Sequence, residues 1–247
     1  MTTTTSTAAP GVSGLSRTFT RPPHVREHGS LLAGVEKRAL VWMAERLPRW
    51  IHSDHLTALG LMAMAAAGAA YWASAWSRWT LLLVVAALAV NWFGDSLDGT
   101  LARVRDRQRP RYGFYVDHVS DIMGALLLLG GLGLSPYMSA EVALILLVAY
   151  LMVSAEVYLA THARGVFRVS FLKVGPTELR ILLAFGTLYL LRQPWIELGG
   201  ASYRLFDVGG TVASAGMFGA LLISAARNTV ALHRAERHPA HPPSVQR

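Results

Sequence analysis

Four aspartates stand in two pairs, Asp95 with Asp98 and Asp117 with Asp121, inside the segment 91–121, NWFGDSLDGTLARVRDRQRPRYGFYVDHVSD. Spacings of three and four put the members of each pair on a common helical face. Two adjacent helices carrying these pairs would aim four carboxylates at one point. Like charges so gathered repel and drive some of the group to protonate. A charged carboxylate in a bilayer also costs on the order of 2.5–3.5 kcal/mol at the centre and less near the interface. A hard divalent cation, Mg²⁺, Mn²⁺ or Ca²⁺, removes both penalties, because carboxylate oxygens are its preferred ligands. Paired cations of this kind stabilise the attacking and leaving oxygens of a phosphoryl displacement.

The neighbours suit a phosphorylated ligand. Gly99 removes a side chain beside Asp98, so a ligand can approach the backbone, and Ala102 keeps the same face clear one turn later. Arg103 is a planar cation matched to phosphate oxygens. Asn91, one turn before Asp95, is placed to orient it, and Gly113 is placed to let its helix approach the preceding one. The competing reading is that each aspartate pairs with a loop arginine as an ordinary salt bridge. Four in register with Gly99, Ala102, Arg103 and Gly113 argue against it.

The elements that position these residues are membrane helices. Of 247 residues, 53% are hydrophobic and 15% charged, and the apolar residues come in long blocks, which excludes an ordinary soluble domain. Six stretches, near 54–76, 80–104, 113–135, 138–162, 177–197 and 206–230, are long enough to cross a bilayer, which takes about 20 helical residues. The net charge is +8, and its distribution points to membrane topology and phosphorylated ligands, with no nucleic-acid partner. Arg103, Arg105, Arg107, Arg109, Arg111, Arg164, Arg168, Lys173, Arg234 and Arg237 gather on one side, and only Arg78, Arg192 and Arg204 on the other. The positive-inside rule then puts both termini and the 104–112 loop in the cytoplasm. With no cysteine there is no disulfide, thiolate site or cysteine nucleophile.

Residues 1–30 are polar and lack an apolar core, and they are expected to form a disordered tail. Residues 31–49 read as an amphipathic juxtamembrane helix with Leu31, Leu32, Val35, Ala39, Trp42 and Met43 on its apolar face; a plain linker helix fits as well. The transmembrane domain follows over 50–232, with a cytoplasmic tail at 233–247. The fold class expected is therefore an all-α polytopic membrane protein of six transmembrane helices.

The run Asp95-x2-Asp98-Gly99-x2-Ala102-Arg103-x9-Gly113-x3-Asp117-x3-Asp121 resembles the signature of the CDP-alcohol phosphatidyltransferases at every defining position. The six-span layout extends the likeness over roughly 50–230. The resemblance implies that Asp95, Asp98, Asp117 and Asp121 hold two divalent cations, Mg²⁺ or Mn²⁺, and that Asp121 is the general base. It also implies that Gly99, Ala102 and Arg103 embrace the CDP diphosphate. Ser53-Asp54-His55-Leu56-Thr57 is similar to the family's Pro-Asn/Asp-x-x-Thr segment against the cytidine, with serine in place of proline. Asp54 and Thr57 follow from that likeness, against an N-cap role for Ser53 or Asp54.

The implied reaction is attack of an acceptor hydroxyl on the lipid-side phosphorus of CDP-diacylglycerol, with CMP leaving, at the cytoplasmic face of the cell (inner) membrane. Arg164, Arg180 and Arg227 would line a cationic acceptor pocket suited to a polyol phosphate; positive-inside anchoring is the alternative. His118, directly after Asp117, resembles a histidine of the branch that moves a phospho-amino-alcohol from a soluble CDP-alcohol to diacylglycerol. It stands as a second candidate base, although successive helical residues diverge by about 100°. A homodimer is the expected assembly, as its relatives tend to form one.

Glu156, within the fourth span, is an intramembrane ionisable group and by default a functional candidate, or else a packing residue. Trp72, Trp76, Trp79, Tyr137 and Trp195 read as interfacial belt residues. Asp95-Ser-Leu-Asp98-Gly99-Thr100 is also similar to the DxDGT motif of haloacid-dehalogenase-type phosphatases, but those carboxylates are two apart at a strand end. A cation transporter lined by the same acids is the remaining alternative. Clustering at one membrane face, without a repeat, speaks against it.

Overall fold

A computed structural model describes residues 33–164 and 176–236. The expected tail at 1–30, Arg168, Lys173 and the chain beyond 236 lie outside them. The elements in order are α1 (Ala33–Arg46), α2 (Ser53–Ala73), α3 (Thr80–Val104), α4 (Pro110–Gly133), α5 (Ala140–Arg164), α6 (Pro176–Leu190), a hairpin of β1 (Trp195–Leu198) and β2 (Ala201–Arg204), and α7 (Leu205–Glu236). Five of them, α2, α3, α4, α5 and α7, are long and apolar enough to cross a membrane. The protein is an all-α membrane protein apart from the hairpin.

Two boundaries differ from the sequence expectation. The stretch 177–197 is not one helix: α6 is 15 residues long, short of the roughly 20 that span a bilayer. Two glycines explain the change. Gly199 and Gly200 have φ of 59° and 83°, the paired positive angles that a two-residue hairpin turn demands. Trp195 then pairs with Arg204 and Leu198 with Ala201. The second difference is α7, which continues to Glu236, past the expected end at 230.

α2 is the centre of the N-terminal half, because both α3 and α4 pack against it. Its contacts run backbone to backbone through small residues. A methyl group on Gly68 would land on the Leu127 carbonyl of α4, and one on Gly131 would land on the carbonyl of Gly68. On the other side, a Cβ at Gly94 of α3 would sit 2.6 Å from the Leu56 carbonyl of α2. Such small-residue seams are how membrane helices approach closely where lipid offers no hydrophobic drive. Gly113 plays no such part, since nothing lies within 4 Å of a Cβ built there.

α1 packs on α3 through Leu40, Met43, Ala44 and Leu47, which meet Leu56, Leu97 and Leu101. Ala39 and Trp42 of the expected apolar face are exposed. Glu36 turns inward to accept hydrogen bonds from the Trp92 indole and the Thr177 hydroxyl. Arg105, just after α3, donates to the carbonyls of Leu47, at 2.8 Å, and Pro48, at 3.0 Å. It thereby satisfies acceptors left open where α1 ends.

The C-terminal half joins differently. α5 packs on α7 and α4, and α6 packs on α3. Asp207 at the start of α7 accepts from the backbone N–H of Ser139, at 2.6 Å, and from its hydroxyl, at 3.0 Å.

Candidate active site

Asp95 and Asp98 ride on the last turns of α3, and Asp117 and Asp121 on the first turns of α4. Pro110 opens α4 at a position where its missing N–H costs nothing. Asp106, with φ of 52°, reverses the chain between the two helices. α3 and α4 share little direct contact, so α2 sets the separation of the two carboxylate pairs.

The first turn of α2 is fastened to α3 at Asp98. Thr57 Oγ1 donates to Asp98 Oδ2 at 2.7 Å, and Ser53 Oγ donates to the Asp98 carbonyl at 2.8 Å. His52 holds the N-cap position of α2, so neither Ser53 nor Asp54 caps it. Asp54 instead pairs with Arg109, and this carboxylate holds the Arg109 proton more firmly than usual. A cavity of about 410 Å³ opens here, lined by Asp54, His55, Ala102, Arg105, Arg107 and Arg109 among others. Its volume suits a small polar ligand, and it joins Asp54 to Ala102.

Gly99 leaves its face of α3 open: a Cβ there would meet only Arg103 Nη1, at 3.5 Å. The exposed Arg103 donates from Nη2 to Thr100 Oγ1 at 3.0 Å, which steadies the guanidinium over that face. Asp95 is half-buried and accepts from Arg180 Nη2 at 2.5 Å. Arg180 Nε donates to Asn91 Oδ1 at 2.7 Å, and Asn91 Nδ2 donates to the Gly60 carbonyl at 3.0 Å. Asn91 thus orients Asp95 through Arg180, by a route that one-turn spacing alone did not show.

Asp98 lies within electrostatic range of both Asp95 and Asp117. Among the described residues, no three His, Cys, Asp or Glu side chains are drawn into a group that could hold a metal ion. The donor set nevertheless fits a hard divalent cation, since it consists of carboxylates alone. Asp121 is exposed, open to a soluble reactant. His118 sits against Asp117, with Nδ1 4.0 Å from its Oδ2. The same nitrogen is 2.6 Å from the Phe114 carbonyl, which can only accept, so Nδ1 carries the proton. The ring is lodged between Phe114 and Tyr158.

The three arginines expected in an acceptor pocket have different partners. Arg180 is bound to Asp95 and Asn91 as above, and its buried Nη1 has no partner among the described residues. Arg164 Nη1 donates to Asn228 Oδ1 of α7 at 2.5 Å. Arg227 is exposed and lines a shallow hollow with Val230 and Arg234 on α7. Glu156 gains partners that sequence did not reveal: Ser224 Oγ at 2.9 Å and Asn228 Nδ2 at 2.7 Å.

Sequence reasoning also missed α5 as a wall of the site. Tyr150 and Tyr158 both lie within electrostatic range of Asp121, with Ser154 between them. The signal was a polar stripe at spacing four, Tyr150-Ser154-Tyr158, in a largely apolar helix.

Comparison with known proteins follows the same lines. The profile described as CDP-alcohol phosphatidyltransferase matches residues 50–226. A search of curated proteins returned no match. Among solved structures, the crystal structure of Mycobacterium tuberculosis phosphatidylinositol phosphate synthase with CDP-DAG bound superposes with a TM-score of 0.56 at 21% identity. The match covers 85% of this chain and 98% of that one. At this identity the likeness is one of fold.

Proposed function

We propose the following reaction for this chain, which belongs to the CDP-alcohol phosphatidyltransferase family: transfer of the phosphatidyl group of CDP-diacylglycerol to a hydroxyl of a polar acceptor, with release of CMP. The family is a family of membrane transferases that use divalent cations. The observation that carries the finer reading is the open face of Gly99, beside the Arg103 guanidinium. That face can take a diphosphate. The CDP-DAG bound in the similar crystal structure supports the choice of donor.

In this reading the cytidine end occupies the cavity lined by Asp54 and Ala102, with Thr57 holding Asp98 in place for the phosphates. Arg103 meets the diphosphate oxygens as a fixed cation, one of the preorganised charges that lower such barriers. Asp95, Asp98, Asp117 and Asp121 would hold two divalent cations, Mg²⁺ or Mn²⁺, which supply charge neutralisation at the diphosphate when bound. Asp121 takes the proton of the acceptor hydroxyl as its oxygen bonds to the lipid-side phosphorus. The bond to the bridging oxygen breaks and CMP departs. His118, with Nδ1 protonated toward Phe114, is the second candidate base. Arg164, Arg180 and Arg227 supply a cationic acceptor side suited to a polyol phosphate. The cytoplasmic face of the cell membrane is the proposed location of the site and of both termini, and a homodimer the proposed assembly.

Full-length protein in vesicles should release CMP from CDP-diacylglycerol only with a divalent cation and an acceptor such as glycerol phosphate or inositol phosphate, and the lipid product should carry the acceptor by mass. Asp121→Asn should lower kcat by roughly 10²–10⁴, the range for loss of a general base, while thermal unfolding is unchanged. Near-normal turnover would remove Asp121 from that role. Cation flux into vesicles without CMP release would make the protein a transporter.

A further inference from the structure

Apart from Arg227, the site described so far lies within the segment that matches the family, residues 50–226, yet α6, the helix that carries Arg180, is tied to an element outside it. We propose that Glu36 of α1 is a positioning residue, which fixes the first turn of α6 and so the register in which Arg180 meets Asn91 and Asp95. The role rests on the reading above that Arg180 serves the acceptor.

The geometry is a node between three helices. Glu36 Oε1 accepts from Trp92 Nε1 of α3 at 2.9 Å and from Thr177 Oγ1 of α6 at 2.8 Å. Each donor is close in sequence to a residue of the Arg180 cluster. Trp92 adjoins Asn91, and Thr177 precedes Arg180 by three, on the same side of α6. Two sets of bonds therefore join α3 to α6 less than a turn apart. One runs through Glu36, and the other runs from Arg180 to Asn91, at 2.7 Å, and to Asp95, at 2.5 Å.

α6 needs such fastening more than the other helices do. It has only 15 residues, and of these Thr187 and Leu190, both in its second half, are buried. Little apolar packing holds its first turn. Thr177 is at the second helical position, where hydrogen bonds from outside the helix decide how the end is held. With the first turn held, Arg180 spends two of its donors on α3 and keeps the buried Nη1 without a partner among the described residues. A buried guanidinium nitrogen left over in this way costs free energy until it meets an oxygen. Held beside Asp95, it offers a phosphorylated acceptor a charge-assisted bond.

A substitution that only weakens the fold reduces the fraction of active protein, and both KM values stay where they were. Loss of Arg180 register instead raises KM for the acceptor alone. The test uses Glu36→Ala, Glu36→Gln, Thr177→Val and Thr177→Ser in the full-length protein. Two readouts are taken. The first is amide exchange over 180–186, where α6 amides first have acceptors within the helix. The second is KM for CDP-diacylglycerol and for glycerol phosphate or inositol phosphate, whichever turns over.

Glu36→Ala and Thr177→Val should speed exchange over 180–186. They should also raise the acceptor KM about tenfold, while the donor KM stays within about twofold. Thr177→Ser, which keeps the hydroxyl, should behave as the unaltered protein, and Glu36→Gln, which keeps an accepting oxygen, should fall nearer to it than Glu36→Ala. Unchanged exchange over 180–186 in both Glu36→Ala and Thr177→Val would overturn the inference, as would donor and acceptor KM rising together. Arg180→Ala separates the two claims. If it leaves the acceptor KM unchanged, the acceptor reading of Arg180 fails, and the exchange data still decide the role of Glu36.

Discussion

The two halves of the molecule are held together by different forces. α2, α3 and α4 meet through glycines that let backbones touch, at Gly94 against Leu56 and at Gly68 against Gly131. α5, α6 and α7 also pack through apolar side chains, Phe206 over Gly186 and Val142 over Gly210 among them, but they add polar clasps to each other and to α3: Glu156 to Ser224 and Asn228, Arg164 to Asn228, Arg180 to Asn91 and Asp95. Small-residue seams depend on shape and allow one register. Polar clasps depend on two or three atoms and can be exchanged at modest cost, since hydrogen bonds between membrane helices average about 0.6 kcal/mol. The half bearing the motif aspartates rests first on shape, with Thr57 and Ser53 fastening Asp98 on top of it. The half assigned to the acceptor is the one a family can retune.

The comparison breaks most visibly at Gly131. A valine there would drive side-chain carbons into the Gly68 backbone of α2, and backbone cannot move aside as the end of a flexible side chain can. Overpacking of this kind costs about 1–3 kcal/mol or more, and here it would separate α4 from α2 and so Asp117 and Asp121 from Asp98. Gly131→Val should abolish CMP release and lower the unfolding temperature in detergent. Gly130→Val, one residue away with open space at its Cβ, should do neither. Equal effects at the two positions would show that the seam is not what sets the carboxylate separation.

The same contrast explains what was legible in the sequence. The span 80–104 was readable to the residue because the apolar run is long and ends among arginines. The resemblance set Thr57 against the cytidine, and the structure places its hydroxyl on Asp98, 41 positions away. The hairpin was not readable. Trp195, Ile196 and Leu198 are apolar enough to pass for the end of a helix, and only Gly199-Gly200 marked the turn. The inward turn of Glu36 was not readable either, because its partners lie 56 and 141 positions away. The clasp at Glu156 was invisible for the same reason: its partners lie 68 and 72 positions on. Local periodicity reports a helix and its apolar side, but a polar group's distant partner is written nowhere near it.

A smaller effect is expected at Glu156. Of its two bonds to α7, one holds Ser224 and the other Asn228, and Asn228 holds Arg164. Glu156→Leu removes both acceptors and leaves the Asn228 amide to reorient, so Arg164 loses its fixed partner. Judged by the range for hydrogen bonds between membrane helices, at most about 1.7 kcal/mol each, the protein should still fold. Acceptor KM should rise several-fold with donor KM unchanged, measured on the same vesicles. Glu156→Gln, which keeps one accepting oxygen, should lie between. A shift in donor KM would mean that the clasp reaches the α2–α3–α4 half, and the division drawn between the halves would fail.

The smallest effect belongs to the hairpin, which touches neither half of the site. Gly200 has φ of 83° and no atom within 4 Å of a Cβ built there, so an alanine meets no clash and pays only for its backbone conformation. A left-handed conformation costs an L-residue about 1–2 kcal/mol. Gly200→Ala should therefore lower the unfolding temperature by a few degrees, about the shift expected for 1 kcal/mol in a protein of this size, and leave kcat and both KM values as they were. A kinetic change would tie the β1–β2 turn to the acceptor half through α7, whose first residue, Leu205, donates its N–H to the Pro194 carbonyl at 2.9 Å. α7 would then carry a disturbance from the far end of the helix to Asn228, and the polar half would behave as one lever instead of a set of separate clasps.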